Sequence, residues 1–142
     1  MQTTKSPMSA SHTDSGSPSA WLAYARADLT LAETPPPSGV LLELLGFHAQ
    51  QAAEKAVKAV ILHRTREPAA FSHNVRRLFR DAEAAGASVP PLSTEAMGAL
   101  TQYAVITRYP ANLGEVDEAE WQRAVADARA VVEWAERELA HS

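Results

Sequence analysis

Five stretches of the chain place apolar side chains at the three- and four-residue spacing of an amphipathic helix. Trp21, Leu22, Ala25, Leu29 and Ala32 recur this way after Ser19, an expected N-cap, until Pro35, Pro36 and Pro37 forbid continuation. A second pattern starts near Leu41 and runs to about Thr65, before Pro68. At 100° per residue, Leu45, Ala49, Ala52, Ala53, Ala56 and Val60 share one arc, and His48, Gln50, Gln51, Glu54, Lys55 and Lys58 occupy the rest. This predicts a long helix with one buried face. Ser72 is the expected cap of a third helix carrying Val75, Leu78, Phe79 and Ala82, with Gly86 as its left-handed terminator. Ser93 opens a fourth, with Met97, Leu100, Tyr103, Ala104 and Thr107 on one side until Tyr109-Pro110 stops it. Asp117 with Glu120 reads as a capping box before a fifth, in which Trp121, Ala124, Val125, Ala128, Val131, Val132, Ala135 and Leu139 face inward.

No segment alternates with period two, and no repeat of solenoid length is present. The expected fold is all-α, an up-and-down antiparallel bundle of about five helices over residues 20–142. The Ser-, Thr- and Pro-containing residues 1–19 are expected to be a disordered tail. If short connections make consecutive helices antiparallel, His63, Arg64, His73, Arg108 and Tyr109 gather at one pole of the bundle.

Composition narrows the chemistry. A formal charge of −4 argues against a general polyanion binder, leaving room for a local basic patch. The absence of cysteine removes disulfides, thiolate metal sites and thiol nucleophiles. No signal-peptide core and no membrane-spanning apolar run occurs, so a soluble cytoplasmic protein is expected. A P-loop, a dinucleotide-binding glycine fingerprint, HExxH and GxSxG are all missing. His48, His63 and His73 lack ligand spacing, so neither a metal nor another cofactor is expected.

The segment from Phe47 to Ala59 carries most of the remaining information. His48, Gln51 and Lys55 form a polar strip, and Glu54 precedes Lys58 by four, the favourable order for an ion pair. A solvated helix face fits this pattern, as does a donor-rich surface for a nucleotide, an RNA strand or a second protomer. Arg108 suits either the negative end of a helix dipole, with Tyr109 packed beside it, or an anion. His73 suits either local capping or proton transfer.

Taken together, WLAYARADLTLAE at 21–33, FHAQQAAEKAVKAVIL at 47–62, SHNVRRLF at 72–79 and LTQYAVITRYP at 100–110 resemble the HEPN family, in order and over residues 21 to about 140. The resemblance implies a helical bundle, a homodimer, and pairing with a minimal nucleotidyltransferase in a toxin–antitoxin-type system. It also implies a nucleotide or RNA ligand, for which His48, Gln51, Lys55, Lys58, Arg108 and Tyr109 are the candidate contacts. Many active HEPN proteins are metal-independent endoribonucleases with Arg-x(4–6)-His near the end of a late helix, the arginine steadying phosphate charge and the histidine moving a proton. Arg108 stands at the matching position, but the following YPANLGEVD holds no histidine. Arg66 and His73 meet the spacing only across the loop containing Pro68. A binding or partnering module is therefore the leading expectation. An endoribonuclease toxin using Arg108 and His73, and a purely structural interaction protein, are the alternatives.

Overall fold

The computed structural model describes residues 16–36, 41–106 and 116–141. It contains five helices: α1 (Pro18–Glu33), α2 (Leu42–Thr65), α3 (Val75–Ala84), α4 (Thr94–Ile106) and α5 (Glu118–Leu139). Among the described residues there is no strand, so the chain is all-α, as the periodicity predicts.

The helix ends follow local chemistry. α1 starts earlier than expected because Ser17, not Ser19, is the N-cap; its Oγ accepts the Ala20 N–H at 3.0 Å, and Pro18 takes the first position, where no N–H is needed. α3 likewise starts later than expected. Asn74 caps it by accepting from the Arg77 N–H, and Ser72 instead accepts from the Asn74 N–H. α3 ends in a Schellman motif: Gly86, at φ +97°, donates to the Glu83 carbonyl, and Ala87 donates to Ala82. Ser93 caps α4 through the Ala96 N–H. The capping box of α5 is complete, with Glu120 N–H to Asp117 Oδ1 at 2.7 Å and Asp117 N–H to Glu120 Oε1 at 3.0 Å. The expected stop of α4 at Tyr109-Pro110, and the tail up to residue 15, lie outside the described residues.

α2 is the central element and packs against all four others. Ala49, Ala52, Ala53, Ala56 and Ala59 are fully buried, and their small side chains let neighbouring helices approach closely. The expectation of one buried face is corrected here: Gly46, Gln50, Glu54, Ile61 and Leu62 are buried too, because neighbours surround the helix. Inward positions of α5 match the pattern apart from Leu139, which is only partly buried, and Trp134, which joins them. The Trp134 ring packs edge-on to Phe79 at 5.2 Å, and its N–H donates to Ser88 Oγ. At the close of α2, Arg64 Nε and Nη2 both donate to Glu138 Oε1, and Ser88 donates to Glu138 Oε2 at 2.7 Å.

One connection departs from strict alternation. Val75 donates to Thr101, and Arg76 reaches the Thr94 carbonyl, so the start of α3 packs along α4. His73, however, meets Glu54 and Gln50 in the first half of α2, whereas Gly86 lies beside Arg64 at its close. α3 therefore runs in the same sense as α2. Residues 66–74 carry the chain back along α2, a distance that an extended segment at about 3.3–3.6 Å per residue spans easily. The single polar pole is consequently overturned. His63 and Arg64 sit at one end of the bundle, His73 lies well above them, and Tyr103 of α4 packs against Gly46 near the opposite end.

That last contact generates a test. A Cβ on Gly46 would collide with the Tyr103 ring. Helix propensity alone favours alanine by about 1 kcal/mol, whereas overpacking costs about 1–3 kcal/mol. Gly46→Ala is expected to lower stability in urea unfolding; a rise would show that the ring moves aside freely.

Candidate functional site

Two buried carboxylates organise the polar strip of α2. Asp28 occupies an inward position of α1, where its Oδ1 accepts from His48 Nδ1 at 3.0 Å and its Oδ2 from Lys55 Nζ at 2.6 Å. Glu54, 4% exposed, accepts at Oε1 from Gln50 Nε2 at 2.9 Å and His73 Nδ1 at 3.0 Å, and at Oε2 from Lys58 Nζ at 2.7 Å. Gln51 joins the Glu54 set by donating to Gln50 Oε1 at 2.8 Å. Each carboxylate thus holds one imidazole and one ammonium.

Aromatic rings border this strip. Lys55 lies 6.0 Å from the centre of the Tyr24 ring, and Lys58 lies 5.7 Å from Trp21 and 6.0 Å from Phe71. Those distances fall within the range of cation–π attraction. Phe71 is 88% exposed and Tyr24 58%, while Phe71 meets His73 edge-on at 5.5 Å. The surface runs from α1, across the polar face of α2, to the loop before α3.

Burial works to raise the Glu54 carboxyl, but hydrogen bonds from Lys58, His73 and Gln50, with the Lys58 charge, outweigh it and hold the group below its ordinary range. Glu138 behaves similarly, its burial outweighed by Ser88 and Arg64. With Nδ1 held on Glu54, Nε2 is the ring nitrogen of His73 left for another partner.

Of the residues singled out in sequence, the structure brings His48, Gln51, Lys55, Lys58 and His73 onto one surface. His63 is remote and contacts the His141 carbonyl. Arg108 and Tyr109 lie outside the described residues. Asp28 and the aromatic border were missed. Asp28 was detectable as an acid on the apolar stripe of α1, and Phe71 as a lone aromatic between alanines and a helix start. Among the described residues no three His, Asp or Glu side chains converge as metal ligands, and no helix is long and apolar enough to cross a membrane.

A separate cavity of about 310 Å³ opens between α4 and α5, with Leu100, Tyr103 and Ala124 among its lining and Arg123 and Asp127 at its polar side. Burial raises the Asp127 carboxyl against the pull of Arg123, and burial with Glu120 and Asp117 raises Tyr103. Among the described residues, none of the sequence-derived site residues lines it.

Bundle and strip together define a helical domain with a charge-balanced polar face. The HEPN domain model matches residues 18–138, and the chain belongs to the HEPN family. Among solved structures it is similar to TT1696 from Thermus thermophilus, at 30% identity and a TM-score of 0.72, covering 86% of this chain and 98% of that one. No curated protein matches.

The Glu54 shift has a pH consequence. A carboxyl depressed on folding stabilises the fold fully above its unfolded pKa, near 4.5, and loses that contribution as pH falls through the lower folded value. Stability in urea should therefore fall progressively below about pH 4.5. Glu54→Gln should flatten this acid limb, with the remainder due to Glu138, and should lower stability at pH 7 by roughly 3 kcal/mol, since Lys58 would be left buried and unpaired. An unchanged acid limb in this variant would refute the assignment.

Proposed function

We propose that this HEPN domain is a homodimeric module that binds a nucleotide or RNA on the polar strip of α2 and partners a minimal nucleotidyltransferase in a toxin–antitoxin-type system. The observation that carries the reading is the polar strip of His48, Gln51, Lys55 and Lys58, with Lys55 beside the exposed Tyr24 ring and Lys58 beside Phe71. Aromatic faces beside donor-rich cationic side chains suit a planar base on a charged backbone. Leu31, Leu41 and Leu44 are exposed on α1 and around the start of α2, in keeping with self-association. Arg108 and Tyr109 extend the proposed contacts.

A second reading, a metal-independent endoribonuclease using Arg108 and His73, draws support from the His73–Glu54 pair. A carboxylate on Nδ1 orients the imidazole, as general acid–base catalysis requires of its histidine. Val75, two residues after His73, bonds to Thr101 of α4, the helix that leads towards Arg108.

Thermal shift separates these readings. A ligand specific for the native state must raise the apparent melting temperature, so ATP or a short RNA should do so, with RNA surviving incubation in EDTA. Co-expression with a minimal nucleotidyltransferase should give a stable complex, and sizing should give a dimer at micromolar concentration. RNA cleavage in EDTA that disappears in folded His73→Ala and Arg108→Ala variants would instead establish the nuclease. Absence of ligand shift, cleavage and complex would leave a purely structural interaction protein.

A further inference from the structure

The cleft between α4 and α5 is built from different chemistry than the α2 strip. Gly46 carries no Cβ, so the Tyr103 ring lies directly against α2. About 310 Å³ beside that ring stays open between α4 and α5, with Leu100, Tyr103, Ala124 and Val116 in its apolar wall. The volume stands at the small end of ligand pockets, which run from about 300 Å³ upward. Among the described residues that line it, the charged groups are Glu120, Arg123 and Asp127.

Asp127 sets this cleft apart. Asp28, Glu54 and Glu138 each take at least two donors, as buried acceptors in folded proteins almost always do. Asp127 is half-buried in the cleft wall, yet among the described residues it accepts no hydrogen bond and closes no ion pair. Arg123, one turn earlier on α5, is exposed; it acts on the carboxyl only as a nearby charge, and burial outweighs it. The remaining field is negative, since Glu120 lines the cleft and Asp117 and Glu43 act with it on the Tyr103 hydroxyl. A carboxylate drawn partly out of water without a donor gains most from a ligand that brings N–H groups on a positive charge. A phosphate or a carboxylate would meet one guanidinium against these acids.

We propose that the cleft between α4 and α5 binds a small primary amine with a short apolar body, its ammonium on Asp127 and its body against Leu100, Tyr103 and Ala124. The ammonium supplies the donors that Asp127 lacks. Glu120, whose Oε1 is held by the Asp117 N–H in the capping box, adds a second, fixed negative charge to the lining. Arg123 competes with the ligand for Asp127, so its removal strengthens binding. The site is separate from the α2 strip and rests on neither nucleotide nor RNA binding there.

Isothermal titration calorimetry on the full chain tests this with three probes of similar shape: 2-phenylethylamine, 2-phenylethanol and 3-phenylpropanoate. The amine should bind roughly 10- to 150-fold more tightly than the alcohol, the range for one hydrogen bond to a charged group, and the carboxylate should bind most weakly. Asp127→Asn, with its helical circular dichroism unchanged, should bring the amine down to the level of the alcohol. Arg123→Gln should tighten amine binding, and Ala99→Trp, at an exposed position of the lining, should block it. Equal binding of amine and alcohol with indifference to Asp127→Asn would overturn the ammonium site. Tighter binding of 3-phenylpropanoate that is lost in Arg123→Gln would overturn it in favour of an anion site. Amine binding that survives Ala99→Trp, or no heat from any probe at millimolar concentration, would remove the cleft as its location. None of these outcomes touches the reading of the α2 strip.

Discussion

A carboxylate buried in the middle of a central helix has to be neutralised from within the bundle, and the surroundings of Glu54 show how far that requirement reaches. Lys58 supplies the countercharge from one turn along the same helix, and Gln50 a second donor from one turn back. The third donor, His73, is far away in sequence. It reaches Glu54 because the chain returns along α2 after Arg66, and α3 consequently begins beside the first half of α2 instead of at its end. Gln50 adds a bond to the His73 carbonyl, so the same contact fixes both the imidazole and the backbone entering α3. Satisfying one buried charge and departing from the up-and-down path are thus linked in a single arrangement.

The alanines of α2 make room for this polar layer. With Ala49, Ala52, Ala53, Ala56 and Ala59 fully buried, neighbouring backbones come close, and Gln50 and Glu54 are buried with them. Asp28 is then brought against His48 and Lys55 from α1 just as His73 is brought against Glu54 from the α3 side. The result is a polar strip fixed by hydrogen bonds and bordered by aromatic rings. At the far end, Arg64, Ser88 and Trp134 bond around Glu138 and Ser88, closing the bundle with a polar cluster that is structural.

Features governed by neighbours in sequence were legible from the sequence. The Asp117–Glu120 box, the Ser93 cap, the Gly86 terminator and the apolar stripe of α5 depend on residues within a turn or two of each other. The Glu54–Lys58 pair was legible for the same reason. What failed depends on distant packing. The direction of α3 is set by a loop that periodicity cannot trace, and the all-round burial of α2 comes from helices placed by that topology. Asp28 read as one polar residue on α1 until its partners on α2 came into contact with it. The same holds for the pole that was to unite His63 with His73: both are near the ends of consecutive helices, but the connection between them runs lengthwise.

The arrangement also bears on what kind of selectivity a HEPN surface of this composition can have. In a chain of net charge −4, free cations on α2 would attract any polyanion, and discrimination among nucleic acids would rest on charge alone. Holding Lys55 and Lys58 on Asp28 and Glu54 suppresses that indiscriminate attraction while keeping both ammoniums fixed beneath the rings. What stays open along this strip is the exposed surface of Phe71 and of Tyr24. The carboxylates that stabilise the bundle thereby also decide which charges of the strip its surface presents.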